Sequence, residues 1–292
     1  MGSFRDALAR GEFVITGEVA PPHGTDYSAM LDSVRKLAPL CHALNVTDNQ
    51  GATLHLSSLA ASRVVLENGR GCEPIFQQTC RDRNRLALQS DLLAAWTLGL
   101  ENVLVVTGDD PRGGDHPTAK GVFDLDSTQL LEVTSGMNAG VDMNGTPLDG
   151  ATDFFMGGAL FPEAEPWDIQ LERALQKVEA GAAFFQTQAV TDVDKFARAA
   201  EALAPTGAPL IAGILLFKSP RIIKFINERL AGLMVPQWIS DRITGAEDPL
   251  EEAIAIATEQ VRELRGIARG VHVMPLGSDD AVARILEGAE LG

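Results

Sequence analysis

Positive charge is scarce in this chain of 292 residues. Lys and Arg number 24 against 40 Asp and Glu, a formal net charge of −16, and the pI falls near 4.7. A surface of that sign repels phosphate backbones and anionic lipid, which argues against nucleic acid or a membrane as partner while leaving room for a local cationic pocket. Cysteine is nearly missing as well. Cys41, Cys72 and Cys80 are odd in number and have no CxxC spacing, so neither a disulfide framework nor a zinc site is expected, and a reducing, cytoplasmic setting is. No apolar run approaches the roughly 18 residues that a membrane-spanning helix needs. The opening MGSFRDALARGEF is polar and amphipathic, without the apolar centre of a signal peptide. None of the histidines (His23, His42, His55, His116, His272) has a helix-face or strand-pair spacing to a second ligand, so no metal is expected. A GxSxG elbow and a GxGxxG after a strand are both lacking.

What the chain does have is short apolar runs alternating with helical patterns. The clearest is ENVLVVTGDDP at 101–111. Val103–Val106 is too short for a helix and is bounded by Gly108 and Pro111, which suits a strand buried on both faces of a parallel sheet. Similar runs lie at 13–20, 42–47, 73–79, 153–160, 182–188, 208–216 and 270–277. Between them the spacing predicts helices from about Asp26 (a candidate N-cap), over 55–68, over 85–98 with Leu86, Leu93 and Trp96 facing the core, and from near Asp126. Further helices are predicted over 167–180, 192–203, 221–230, 248–266 and 278–288. The segments 108–124 and 134–150 are polar and Gly-containing, long for loops in a compact domain, and so candidates for function. Strand–helix alternation with no linker-like break predicts an α/β fold, one (βα)8 TIM barrel over 1–292, with a doubly wound open sheet as runner-up.

In such a barrel the C-terminal strand ends share one pocket. Here they carry Glu18, Thr47, Gln77, Thr79, Asp109, Ala159, Phe161, Gln186, Gln188, Lys218 and the segment from Met274 to Gly277. Carboxylates and amides around an apolar mouth suit a flat heterocycle, because an amide serves both donor and acceptor edges. A carboxylate among apolar walls can act as a general acid. Plainer readings exist for each: a turn cap for Asp109, a salt-bridged strand residue for Glu18, a loop cap for Gln188, ordinary packing for Phe161, a solvated helix face for Arg173 and Lys177.

These strand ends resemble a known family, the methylenetetrahydrofolate reductases. The likeness is carried in order by GEVAPP (17–22), VTDNQGAT (46–53), QQTCRDRNRLALQSDL (77–92), VTGDDP (106–111), GGALFPEAEP (157–166), KVEAGAAFFQTQAVTD (177–192) and GILLFKSP (213–220). It implies a barrel holding a flavin, FAD or alternatively FMN, that takes electrons from NADH or NADPH and reduces 5,10-methylenetetrahydrofolate to 5-methyltetrahydrofolate. It implies Glu18 as the acid at folate N10, Asp109 beside the flavin and the pterin edge, and Gln188 on the pterin. Flavin contacts would come from Thr47, Gln77, Thr107, Gly108, Asp109, Phe123, Ala159, Phe161, Arg173 and Lys177. Gln77 stands where many members have His, Phe123 and Phe161 where tyrosines are common, Gln170 where an acid is, and MPLG in strand eight lacks the Tyr-Thr-Leu-Asn of many bacterial members. QQTCRDRNRLALQSDLL with HPTAKGVFDLDS (116–127) more closely resembles reductases of anaerobic one-carbon pathways, some of which work with a partner subunit. A homo-oligomer is the other expected assembly. Two other readings stand beside the reductase: a non-catalytic folate- or flavin-binding subunit, and a lyase with Lys218 as Schiff base.

Overall fold

Which side chains enter a barrel is decided by alternation along its strands. The computed structural model describes residues 3–229 and 233–291. Eight parallel strands pair in sequence order and close: β1 (Val14–Val19), β2 (Ala43–Val46), β3 (Glu73–Thr79), β4 (Asn102–Val106), β5 (Phe155–Leu160), β6 (Phe184–Ala189), β7 (Leu210–Leu215) and β8 (Gly270–Met274), with β8 pairing back on β1. The expected (βα)8 barrel is therefore present. A helix α1 (Phe4–Ala9) precedes β1. Helices α2 (Ser28–Leu37), α3 (Ser58–Asn68), α4 (Arg85–Thr97), α5 (Ser127–Asn138), α6 (Trp167–Glu179) and α7 (Val193–Leu203) follow successive strands. Then α8 (Pro220–Arg229), α9 (Gln237–Gly245) and α10 (Pro249–Leu264) follow β7, and α11 (Asp280–Gly288) follows β8.

Outward strand residues such as Leu44, Val46, Phe76, Val105, Phe185 and Ile214 pack under the helices in the main core. Inward residues at the N-terminal end of the strands form a separate cluster of Val14, Ala43, Ile75, Leu104, Phe184 and Ile211, closed from below by Phe4, Ala7 and Leu8 of α1. Phe4 meets Phe155 and Phe184 edge-on at 5.9 and 5.3 Å, and those two rings stack at 5.0 Å. Gly157 makes the room: a Cβ there would lie 2.3 Å from the Phe184 ring. Burying one such ring contributes about 1.5–3 kcal/mol. The amphipathic opening of the chain is thus a plug for the barrel floor.

Several local expectations need correction. Leu86 and Leu93 do not face the core: they are 74% and 38% exposed, while Leu88, Leu92 and Ala95 form the buried stripe. The helix has apolar residues all round, so its pattern does not single out a face. Trp96 does pack, edge-on at 5.4 Å against Phe154. The segment 134–150 begins inside α5, where buried Thr134 donates its hydroxyl to Leu130 O at 2.7 Å. Asp26 accepts the Ser28 N–H at 3.0 Å, but Tyr27 is the N-cap of α2. The helix expected over 221–230 is seen as α8, and Leu230 lies outside the described residues. Helix α9 was not expected.

Candidate active site

Above the apolar floor the barrel interior turns polar. Thr16, Asn45, Gln186 and His272 point inward from β1, β2, β6 and β8 and are all buried. Asn45 Nδ2 donates to Gln186 Oε1 at 2.6 Å, and Gln186 Nε2 donates back to Asn45 Oδ1 at 3.1 Å. The same Nε2 donates to Thr16 Oγ1 at 3.2 Å, and Thr16 Oγ1 lies 3.0 Å from His272 Nδ1. The other ring nitrogen of His272 faces Glu18, with Nε2 3.7 Å from Oε2. Glu18 sits one inward step above Thr16, its side chain 13% exposed. A carboxylate is therefore held at the top of β1, nearly out of solvent, over a hydrogen-bonded polar layer.

A second feature is a cavity of about 380 Å³ between the ends of β4 and β5 and the helices α5 and α6. Its lining includes Thr107, Ala159, Phe161, Gln170, Arg173 and Lys177, together with Asp126, Ser127 and Thr128 at the N-terminus of α5. Asp126 caps that helix, accepting from Gln129 N while Gln129 Oε1 accepts from Asp126 N. Lys177 Nζ makes one hydrogen bond, to Ala159 O at 2.8 Å. Burial brings its amine down to about 8, with Arg173 adding to the effect and Asp126 opposing it.

Loops fix the mouth. Asp109 Oδ2 accepts the Gly51 N–H at 3.1 Å and the Asp115 carboxylate accepts that of Leu54 at 3.2 Å, so the loop after β4 is tied to the loop after β2. Buried Asp48 takes two hydrogen bonds from Arg83, at 2.7 and 3.2 Å, and further ones from Thr79 N and Oγ1. Gly108 has φ +95°, and a Cβ on it would lie 2.9 Å from Cβ of the buried Arg81. That position needs glycine for conformation and for space.

The family model described as Methylenetetrahydrofolate reductase matches residues 3–290. The chain belongs to the methylenetetrahydrofolate reductase family. It is 26% identical to Methylenetetrahydrofolate reductase 2 of Saccharomyces cerevisiae over 86% of its own length and 42% of the yeast protein's. It is 23% identical to 5,10-methylenetetrahydrofolate reductase of Escherichia coli, over 85% of this chain and 81% of that one. The chain thus spans under half the length of the yeast relatives it matches, 42% and 47%. Among solved structures, a 2,3-dimethylmalate lyase of the PEP mutase/isocitrate lyase superfamily aligns over 99% of this chain and 87% of its own, with a TM-score of 0.54 and 13% identity. That likeness speaks to the barrel alone.

Within this member of the methylenetetrahydrofolate reductase family, the residues singled out from sequence fall into groups. Thr107, Ala159, Phe161, Arg173 and Lys177 share the cavity. Glu18 stands over the polar layer. Thr47 is buried just past β2 and Gln77 half-buried on β3. Gln188 turns back, its Oε1 accepting the Ala189 N–H at 3.1 Å. Phe123 does not line the cavity. It is 41% exposed, with φ +41° and its ring over Gly121. Lys218 donates to Leu276 O and to Ser278 Oγ, so its amine is tied to the loop after β8. The cysteines are buried, and burial pushes Cys72 and Cys80 up to about 12, which makes them poor nucleophiles. Sequence reasoning missed Thr16, Asn45 and His272, which lie inside runs read as apolar strands, and the α5 N-terminus as a cavity wall.

Proposed function

We propose that this chain is a flavin-dependent methylenetetrahydrofolate reductase, taking electrons from NADH or NADPH and giving 5-methyltetrahydrofolate. The observation that carries the reading is Glu18, a carboxylate 13% exposed at the catalytic end of the barrel of a family member. The cavity supports the cofactor. A half-buried amine with one neutral acceptor, a second cation in Arg173, three hydroxyls and a helix N-terminus suit phosphate and polyol oxygens. Its volume of about 380 Å³ is that of a small-ligand site. The residues present therefore fit the phosphate-bearing tail of a flavin nucleotide, with FAD the first choice and FMN the alternative. A bound flavin supplies two-electron relay from nicotinamide to folate.

The chain's own residues do the rest. Lys177 and Arg173 anchor the nucleotide, and Thr107 and the Ala159 strand end bound it. Thr47, Gln77, Gly108 and Phe123 are assigned to the flavin on the family resemblance alone. Asp109 takes the pterin edge and faces the flavin, and Gln188 holds the pterin once its amide leaves Ala189 N. Glu18 protonates folate N10. An unprotonated amine is a poor leaving group, so the five-membered ring opens only when that nitrogen receives a proton. Hydrogen bonds through Asp109 and Asp115 hold the mouth loops to each other.

The test is direct. Purified protein is denatured, the released chromophore is identified by chromatography, and methylenetetrahydrofolate-dependent oxidation of NADH and NADPH is assayed on the loaded protein. Flavin with folate-dependent turnover is expected. No flavin and no uptake of added FAD or FMN removes the cofactor assignment, and no folate-dependent turnover with either nucleotide removes the reductase.

A further inference from the structure

The polar layer beneath Glu18 has a direction. Gln186 Nε2 spends its two protons on Asn45 Oδ1 and Thr16 Oγ1, at 3.1 and 3.2 Å, and its Oε1 is filled by Asn45 Nδ2 at 2.6 Å. With the amides assigned so that Gln186 Nε2 faces Thr16, Thr16 Oγ1 is an acceptor toward Gln186. Its own proton then has two candidate acceptors, His272 Nδ1 at 3.0 Å and Val271 O at 3.5 Å. The first is a normal hydrogen-bond length and the second is at the outer limit. A Thr16 hydroxyl that donates to Nδ1 leaves a neutral imidazole with its single proton on Nε2. That nitrogen faces Glu18 Oε2 at 3.7 Å, a few tenths of an ångström beyond hydrogen-bond reach. Contacts of this kind tighten when a ligand closes the site.

We propose that Thr16 and His272 are positioning residues for Glu18: Thr16 fixes His272 as the Nε2–H tautomer, which reserves Oε2 as an acceptor and confines the transferable proton of Glu18 to Oε1. The assignment rests on the reading of Glu18 as the acid and deepens it. An acid that can carry its proton on either oxygen is aimed half the time at the protein. Here the oxygen beside His272 meets a donor whether Glu18 is ionised or protonated, so only the other oxygen presents a proton. The polar layer also explains why a barrel with an apolar floor spends four buried positions above it on groups that gain nothing from burial.

Two measurements test this. The first is the 15N–1H spectrum of the purified protein labelled at histidine, with the His272 ring assigned by its loss in a His272→Asn variant. A ring with pyrrole-like Nε2 and pyridine-like Nδ1 is expected. An Nδ1–H tautomer, or a doubly protonated ring, overturns the proposal. This reading is taken on resting protein without folate, so it stands even if the reductase assignment fails. The second compares variants by folate-dependent turnover. Removing the hydroxyl in Thr16→Val lowers kcat roughly 10-fold, the scale of one hydrogen bond, with KM for folate and oxidation of NADH or NADPH by a quinone acceptor little changed, and Thr16→Ser restores it. A Gln amide nitrogen can stand where Nε2 stands, and an Asn amide nitrogen only where Nδ1 does. His272→Gln should therefore retain most turnover and His272→Asn should lose it. Equal loss in both, or no rescue by Thr16→Ser, reduces the layer to packing and overturns the proposal. Absence of folate turnover in the wild-type protein would instead fault the function, leaving the tautomer to decide the rest.

Discussion

The floor and the mouth of this barrel obey one alternation rule and are filled by opposite chemistry. At the floor Phe4, Val14, Ile75, Phe184 and Ile211 form an apolar cluster, with the Glu73 carboxylate at the N-terminal strand ends accepting from the Phe4 N–H and from Asn102 Nδ2. Farther along the same strands Thr16, Asn45, Gln186, His272 and Glu18 occupy the inward positions. Hydrophobic burial stabilises the first set. The second contributes little net stability, and its buried amides and hydroxyl are tolerable because each is hydrogen-bonded. Among the described residues, the buried side-chain atoms that lack a partner are Ser62 Oγ, Gln78 Oε1, Arg81 Nη1 and Gln260 Oε1, none of them in this layer. The difference teaches a division of labour: stability at the N-terminal strand ends, chemistry at the C-terminal ends.

That division can be broken from either side. Phe184→Ala should have the largest effect on stability, about 3–5 kcal/mol by loss of a buried ring and the cavity left behind, read by denaturant unfolding. Folate turnover per folded molecule should stay near wild type. A variant of full stability with lost turnover would mean that the floor takes part in the chemistry.

Lys177→Met tests the cavity. It should weaken flavin retention by about 1.5–3 kcal/mol, the scale of a hydrogen bond to a charged group, and leave unfolding of the flavin-free protein unchanged or slightly improved. The pH dependence has a definite sign. The folded amine is held near 8 by burial against a reference of 10.5, so the flavin-free fold binds fewer protons than the unfolded chain between those values. Its stability should rise as pH climbs through that window. An anionic tail beside Nζ restores the charge, so flavin binding should take up a proton and weaken as pH rises above about 8. Calorimetry in buffers of different ionisation enthalpy reads that uptake, and binding with no proton linkage would place the anion elsewhere.

The smallest effect belongs to Leu86→Ala. At 74% exposed, it should shift stability by no more than about 0.5 kcal/mol. A larger loss in urea unfolding would mean that the exposed face of α4 is covered in solution.

Much of the fold was legible because each strand is a short apolar run bounded by turn residues. The run at 73–79 is β3 without adjustment, and Asp126 with Gln129 three residues on marks the start of α5 as a capping box. The plug was not legible, since FRDALA looks like any amphipathic surface helix until a barrel floor exists for Phe4 to fill. Nor was the face of α4, where Leu86 and Leu88 carry the same side chain. In the site, Glu18 and Asp109 stood out because charge at the end of an apolar strand is conspicuous. Asn45 and His272 did not, because one polar residue inside HALNVT or GVHVM reads as a flaw in a strand. Only closure brings Asn45 to Gln186 across 141 positions of sequence and sets Thr16 against His272 across 256.

The claim on which the account turns is that Glu18 supplies the proton at the folate nitrogen. Glu18→Gln keeps shape and hydrogen bonding and removes the transferable proton. Folate-dependent oxidation of NADH or NADPH and oxidation of the same nucleotide by a quinone acceptor are measured on one preparation. The account predicts that the first falls at least ~10²-fold, the low end of general acid catalysis, while the second, which asks nothing of the folate site, is little changed. Equal loss of both activities, or no loss of either, would contradict it.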